Sequence, residues 1–219
     1  MFRDDPYKVF PNFEHWNAEL TSVGDAGYCM MLHMSHWRTA FSYGTHRSDW
    51  LNVYAANNFI LLDPIMLWAM TNTGVRRWSD ISFHGHPQHA FIMDRAREFD
   101  LNYGAVAVTK SAYLENKRCM VCVARTDREI NDQELGRLSA TLREIVDDHD
   151  ERMGLSDADV ATIQKLAEGM SQDIIAHEMN VTRDAVKKRI ERIRKRLGAK
   201  NTTHIVSMAL SNCLIEAVR

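Results

Sequence analysis

The stretch Thr182–Leu197, TRDAVKKRIERIRKRL, can bury only one side of itself. Val186, Ile190, Ile193 and Leu197 recur at the spacing of one helical face. Arg183, Lys187, Lys188, Arg192, Arg194 and Lys195 fall off that face. Thr182 is placed to cap the helix with its hydroxyl, and Gly198 to end it in a left-handed turn. One side therefore packs on a domain while the other offers cations, diluted only by Asp184 and Glu191. Phosphates suit such a face, although a solvated basic surface has the same pattern.

What precedes the helix narrows the choice. Ser171 caps a short helix with Ile174, Ile175 and Met179 inside, and Asn180–Val181 makes a tight turn. Two short helices so joined form a helix-turn-helix, whose second helix enters the major groove of DNA. The basic charge sits on that second helix. Thr182 stands at its start, and Arg183, Lys187 and Lys188 are early enough to reach base edges. Arg192, Arg194 and Lys195 lie further along and serve to position the helix on phosphates. Ser156 caps a preceding helix that ends at Gly169. Thr202 or Thr203 caps a last one carrying Ile205, Met208, Ala209 and Ala217. An all-α, four-helix helix-turn-helix domain over residues 151–219 follows. Its formal charge is +3, against −5 for residues 1–150, so the basic surplus is local. The last helix also offers a surface for a second copy through Ile205, Ala209 and Leu214; the alternative is that these residues close the domain's own core.

Upstream the patterning changes. Helices are expected over Phe13–Val23, Trp50–Asn58 (capped by Ser48 or Asp49), Ile65–Thr71, from about Pro87 to Phe99, and from Asn131–Asp132 to about His149. Strands are expected at Tyr28–Met34, Thr39–Tyr43, Ala105–Thr109 and Cys119–Ala124. The order predicts an α+β unit, a small antiparallel sheet between helices in an α/β/α sandwich. The charged run His149–Gly154 marks a boundary, giving domains of residues 1–150 and 151–219.

Several classes of function fall away. The longest apolar run, Ile60–Met70, is broken by Asp63–Pro64 and is too short to span a bilayer. The charged opening MFRDDPYK and four scattered cysteines point to a cytoplasmic protein with reduced thiols and no membrane partner. There is no phosphate-binding glycine loop, nucleophile elbow or pair of catalytic carboxylates, so no enzyme is expected. His84, His86 and His89 fall in a Gly- and Pro-containing segment that reads as a solvated loop rather than a metal site. Cys119 and Cys122 have redox spacing but lie on a strand, as buried hydrophobes.

A small-molecule pocket is suggested instead. Trp50 and Tyr54 are four apart on one helix face, with an indole N–H and a phenol that can reach carbonyls. Asp63, inside an apolar run, can accept an amide N–H and also cap the helix that Pro64 begins. Met66, Met70, Ile92 and Leu101 can line an apolar end, where methionine adapts to flexible chains. Taken singly, Trp50, Tyr54 and Trp78 also read as core aromatics.

These residues carry a resemblance. Leu155-Ser156, Ala167-Glu168-Gly169, Ile175-Ala176, Thr182 with Ala185-Val186, Arg196-Leu197-Gly198-Ala199, and Ala209 with Leu214-Ile215 are similar to the LuxR-type helix-turn-helix family. Ala40-Phe41, Gly44, Trp50, Tyr54, Asp63-Pro64, Trp78 and Gly104 resemble the N-acyl homoserine lactone-binding domain that often precedes it. The resemblance implies a quorum-sensing transcription factor. It would bind a lactone signal with an acyl or aryl group and no other cofactor. As a homodimer it would bind a two-fold symmetric double-stranded DNA site and work with RNA polymerase. Ala158-Asp159, Ala185, Arg189 and Cys213 depart from the family pattern in the helix-turn-helix. His46, Arg47 and Cys122 depart in the pocket, where His46 replaces a usual tyrosine and Cys122 a usual Ser or Thr. The resemblance thus implies a lactone head with an unusual tail. The alternative is a ligand-independent or inhibitory member of the family that no longer requires a lactone.

Overall fold

A computed structural model of the chain describes residues 5–34, 39–81, 87–111, 117–212 and 214–215. The expected segments His84–His86 and Leu114–Asn116, together with Cys213 and Ala217, lie outside the described residues. The helices are α1 (Pro6–Val9), α2 (Phe13–Val23), α3 (Ser48–Ala56), α4 (Pro64–Thr71), α5 (Pro87–Arg97) and α6 (Asp132–Met153). Beyond these come α7 (Asp157–Ala167), α8 (Gln172–Glu178), α9 (Arg183–Arg196) and α10 (Thr202–Ser211). The strands are β1 (Tyr28–Met34), β2 (Phe41–Gly44), β3 (Gly74–Arg77), β4 (Tyr103–Lys110) and β5 (Arg118–Arg125).

The five strands form one antiparallel sheet in the order β2-β1-β5-β4-β3. Both faces are covered, which explains why β1, β4 and β5 read as almost continuous apolar runs. Side chains alternate across a strand. Tyr28, Met30, Ala105, Ala107, Val121 and Val123 thus join α2 and α6 in one core. Met31, Val106, Val108, Met120 and Cys122 face α3, α4 and α5 in a second. The α+β class and the α/β/α layering are as the sequence predicts. A third core, built on Leu155, Ile163, Ile175, Val186, Ile190, Ile193, Ile205 and Ala209, holds the four C-terminal helices together.

Four expectations need correction. The strand β3 was not legible, because GVRR is short, polar and half-exposed and shows no period. Helix α3 has no side-chain cap: the Asp49 carboxylate is taken by the Arg47 guanidinium at 2.7 Å, and Arg47 also reaches Asp100 at 3.0 Å. Helix α10 is capped by Asn201, whose side chain accepts the His204 amide at 2.8 Å, not by Thr202 or Thr203. The charged run His149–Gly154 does not interrupt α6. The helix continues to Met153 because His149 and Asp150 are buried against β1, and the chain turns only at Gly154, at φ +54°.

The start of α6 is fixed by charge. Asn131 and Glu134 form a reciprocal capping box, each side chain accepting the other's amide at 2.9 Å. Arg128 and Arg125 donate to the same Glu134 carboxylate at 2.8 and 3.2 Å, which ties the end of β5 to the helix. The Arg128 guanidinium holds the Glu134 carboxyl down to about 2 from its ordinary 4.5. A depressed carboxylate stabilises the fold above its unfolded value, and that contribution is lost as pH falls toward the folded value. Glu134→Gln is therefore expected to cost roughly 2 kcal/mol at neutral pH. It is also expected to flatten the loss of stability between pH 4.5 and about 2, read from urea unfolding at stepped pH.

Candidate functional site

Between the sheet and α3, α4 and α5 lies an apolar cavity of about 70 Å³. Its lining contains nine of the ten residues singled out for a ligand: His46, Trp50, Tyr54, Asp63, Met66, Trp78, Ile92, Leu101 and Cys122. Met70 is not among them. Sequence reading missed Cys29, Met31, Leu51, Ile65, Met93, Ala96 and Met120. For Cys29, Met31 and Met120 the missing fact was strand pairing, which sets Cys29 directly opposite Cys122 and Met31 opposite Met120 on the cavity face.

Asp63 has two roles at once. Its Oδ1 accepts the Ile65 amide at 2.7 Å as the cap of α4, and its Oδ2 accepts the Tyr54 hydroxyl at 2.7 Å. Burial raises its pKa, against the hydrogen bond from Tyr54. Burial, then the Asp63 charge, pushes the Tyr54 hydroxyl well above its ordinary value, so it stays a neutral donor. This corrects the expectation that the phenol donates to a ligand carbonyl: its proton already goes to Asp63. A ligand would meet the lone pairs of the Tyr54 oxygen and the remaining acceptor site on Oδ2.

The indole N–H of Trp50 has no hydrogen-bond partner among the described residues, while its ring packs on Tyr54 and Phe99, each at 5.5 Å between centroids. The Trp78 N–H donates to the Cys122 sulfur at 3.3 Å. Hydrogen bonding between the paired thiols lowers the pKa of Cys29 and raises that of Cys122; His46 further lowers that of Cys29. The His46 Nδ1 donates to the Ala26 carbonyl at 3.2 Å, which fixes the ring at the edge of the cavity. Cys119 and Cys122, three apart on one strand, fall on opposite faces and share no site.

Around α9 the cations separate into two kinds. Among the described residues Lys187, Lys188 and Lys195 are exposed and have no ion-pair partner. Arg196 is exposed and likewise has no ion-pair partner among the described residues, whereas the remaining arginines are engaged. Arg194 binds the Glu191 carboxylate through two nitrogens, at 2.6 and 2.9 Å. Arg183 lies 3.3 Å from Asp173. Arg192 donates to Asp159, a buried carboxylate that also caps α7 and has Arg189 at 3.8 Å. The expectation that Arg192 and Arg194 are free for phosphates is thus corrected: their charge is partly used within the domain. The Thr182 hydroxyl accepts the Ala185 amide at 3.2 Å, the expected cap. Ile205, Ala209 and Leu214 are buried in the domain's own core, so they do not offer a surface to a second copy.

Comparison with known proteins follows the same division. A family model described as "Autoinducer binding domain" matches residues 13–147. One described as "Bacterial regulatory proteins, luxR family" matches residues 153–209. The transcriptional activator protein PhzR of Pseudomonas fluorescens is 23% identical over 199 residues, covering 84% of this chain and 79% of that protein. The HTH-type quorum-sensing regulator RhlR of Pseudomonas aeruginosa is 25% identical over 186 residues, covering 79% and 75%. The crystal structure of Escherichia coli SdiA shares the fold, with a TM-score of 0.55 at 18% identity over 97% of this chain and 92% of that one. SdiA in complex with octanoyl-rac-glycerol gives 0.56 at 18% identity, over 99% and 92%.

Gly104 on β4 shows how tightly the cavity wall is set. A Cβ there would overlap the Trp78 indole and come within 2.5 Å of the Val123 carbonyl. The carbonyl is backbone and cannot yield, so Gly104→Ala is expected to cost about 1–3 kcal/mol through overpacking. A lowered urea midpoint with an unchanged slope would show it.

Proposed function

The chain belongs to the LuxR family of bacterial transcription regulators that carry an autoinducer-binding domain, and on that footing we propose that it binds an N-acyl homoserine lactone-type signal and, as a dimer, a two-fold DNA site. As a member of this family it is a transcription regulator and not an enzyme. Among the described residues no helix is long and apolar enough to cross a membrane. In this reading residues 1–150 bind the signal and pair two copies, and residues 151–219 bind DNA in the cytoplasm, where RNA polymerase is the further partner.

The observation that carries the reading is the convergence of Trp50, Tyr54, Asp63 and Trp78 on one apolar cavity. Few fixed polar groups in an apolar wall are what orients a small amphiphile. The Trp50 N–H supplies a donor for the lactone carbonyl, and the spare Oδ2 site of Asp63 an acceptor for the amide N–H. Met31, Met66, Met93 and Met120 meet the acyl or aryl group with side chains that repack readily. Cys122, already holding the Trp78 N–H, is a weak partner for an acyl carbonyl, which favours an unusual tail.

One observation favours the second reading, a regulator that works without lactone. The cavity, about 70 Å³, is small against the roughly 300–1,000 Å³ of typical ligand pockets. Signal binding must therefore move side chains apart, or the domain is filled by its own residues. Soluble, DNA-competent protein made without any lactone would favour the second reading. Small molecules extracted from protein expressed with and without candidate lactones, and identified by mass spectrometry, separate the two.

Asn caps helices about as well as Asp, so Asp63→Asn should leave unliganded stability within about 1 kcal/mol. It should shift the lactone dose response by about tenfold, the loss expected for a charged acceptor; an unmoved curve would count against the pocket. At the other end of the molecule, Lys187→Ala with Lys188→Ala should weaken DNA binding across sequences. Its salt slope should fall by about one unit for each lysine that meets a phosphate. A slope equal to that of the parent protein would remove α9 from the phosphates.

A further inference from the structure

On the far side of the sheet from the cavity, three metal-ligating side chains are buried together. His33, His149 and Asp150 each offer a ligand atom, and these atoms lie within 4.8 Å of one another. They come from two elements, the end of β1 and the last turns of α6, and are 1%, 7% and 3% exposed. The His33 Nε2 is 2.8 Å from Asp150 Oδ1. The Ser111 hydroxyl donates to Asp150 Oδ2 at 2.7 Å. The His33 and His149 rings meet edge to face, 4.7 Å between centroids. Buried beside them, the Cys119 sulfur accepts the His33 amide at 3.3 Å.

The backbone is bent to make this cluster. By alternation His33 would face the cavity with Cys29 and Met31. A register shift between Met31 and Met34, with His33 at φ +52°, turns its ring to the α6 side and sends Met34 to the cavity side. The left-handed region is unfavourable for a residue with a Cβ. The ring so placed keeps one nitrogen, Nδ1, buried and without a hydrogen-bond partner among the described residues. Buried polar atoms are nearly always partnered, and an imidazole nitrogen with a free lone pair is a ligand for a borderline-soft cation.

We infer that His33, His149 and Asp150 form a binding site for a divalent transition-metal ion of the zinc class. Two imidazoles and a carboxylate are a zinc-type ligand set that leaves a position open. Two ligands about 2.1 Å from one ion sit roughly 3.0–3.4 Å apart, close to the separation of His33 Nε2 and Asp150. Binding either replaces the proton between these two atoms or uses Nδ1, with Asp150 holding Nε2–H from behind. In the first all three residues are ligands, and in the second Asp150 orients the His33 ring from behind; in both Ser111 holds the carboxylate in place. The cation would clamp β1 to α6 four residues before Gly154, where the chain turns into the helix-turn-helix. The site is independent of the lactone reading.

The test uses the full chain, stripped with chelator and titrated with Zn²⁺ alone, or with Co²⁺ for its visible bands. One equivalent is expected to bind and to raise the melting temperature. His33→Gln keeps an amide donor for Asp150, so its chelator-treated form should melt close to the parent. Its affinity, and that of His149→Gln, should fall by about 100-fold or more. Absence of stoichiometric Zn²⁺ binding by the parent protein overturns the inference. So does binding of equal affinity by the double variant, which would place the ion elsewhere, for instance at His84, His86 and His89.

Discussion

Burial of the central sheet on both faces is the constraint from which the rest of the N-terminal part follows. With β1, β4 and β5 covered above and below, a period of two sends each residue into one of two separate cores. Cys29, Val106 and Cys122 are brought into one row across three strands by register alone. Cys29 and Cys122 of that row line the cavity and Val106 packs in the same core, and a slip of one residue would exchange the row for the α6 face. The one place where β1 breaks the alternation, at His33, is also the place where buried imidazole and carboxylate meet.

The cavity depends on Asp63 in a similar way. A carboxylate that ends one helix and takes the Tyr54 proton joins α3 to α4 through a single side chain. Its burial is tolerated because these hydrogen bonds replace those of water. The same economy appears in the C-terminal domain. Asp159 caps α7 and draws Arg192, with Arg189 nearby, from the basic helix toward the domain. What remains for a polyanion is concentrated on Lys187, Lys188, Lys195 and Arg196, a narrower surface than the number of cations on α9 suggests.

Much of this was legible residue by residue. The helix-turn-helix was, because its caps, turn and apolar stripe are local. The layered class of the N-terminal part was, because long apolar strands alternate with amphipathic helices. Trp50, Tyr54, Asp63 and Trp78 were found through an ordered pattern, and Met66, Ile92 and Leu101 through their apolar character, rather than through any contact. Less local features were not. The strand β3 has no internal period and exists only as the partner of β4. The run His149–Gly154 looked like a linker because its charge was visible and the buried partners of His149 and Asp150 were not. Ile205, Ala209 and Leu214 looked available to a second copy until the third core claimed them.

The sequence by itself determined most of the elements, the class of each half and the types of side chain at the site. Those properties rest on periodicity, capping and composition, which act over a few residues. Only the tertiary structure decided which groups are already engaged: that the Tyr54 proton belongs to Asp63, that Arg192 leans on Asp159, and that Cys29 faces Cys122. Only it decided the size of the cavity and the meeting of His33 with Asp150, 117 residues apart. The physical reason is that a hydrogen bond or a strand register is fixed by where two distant segments pack, and neither segment carries a mark of its partner.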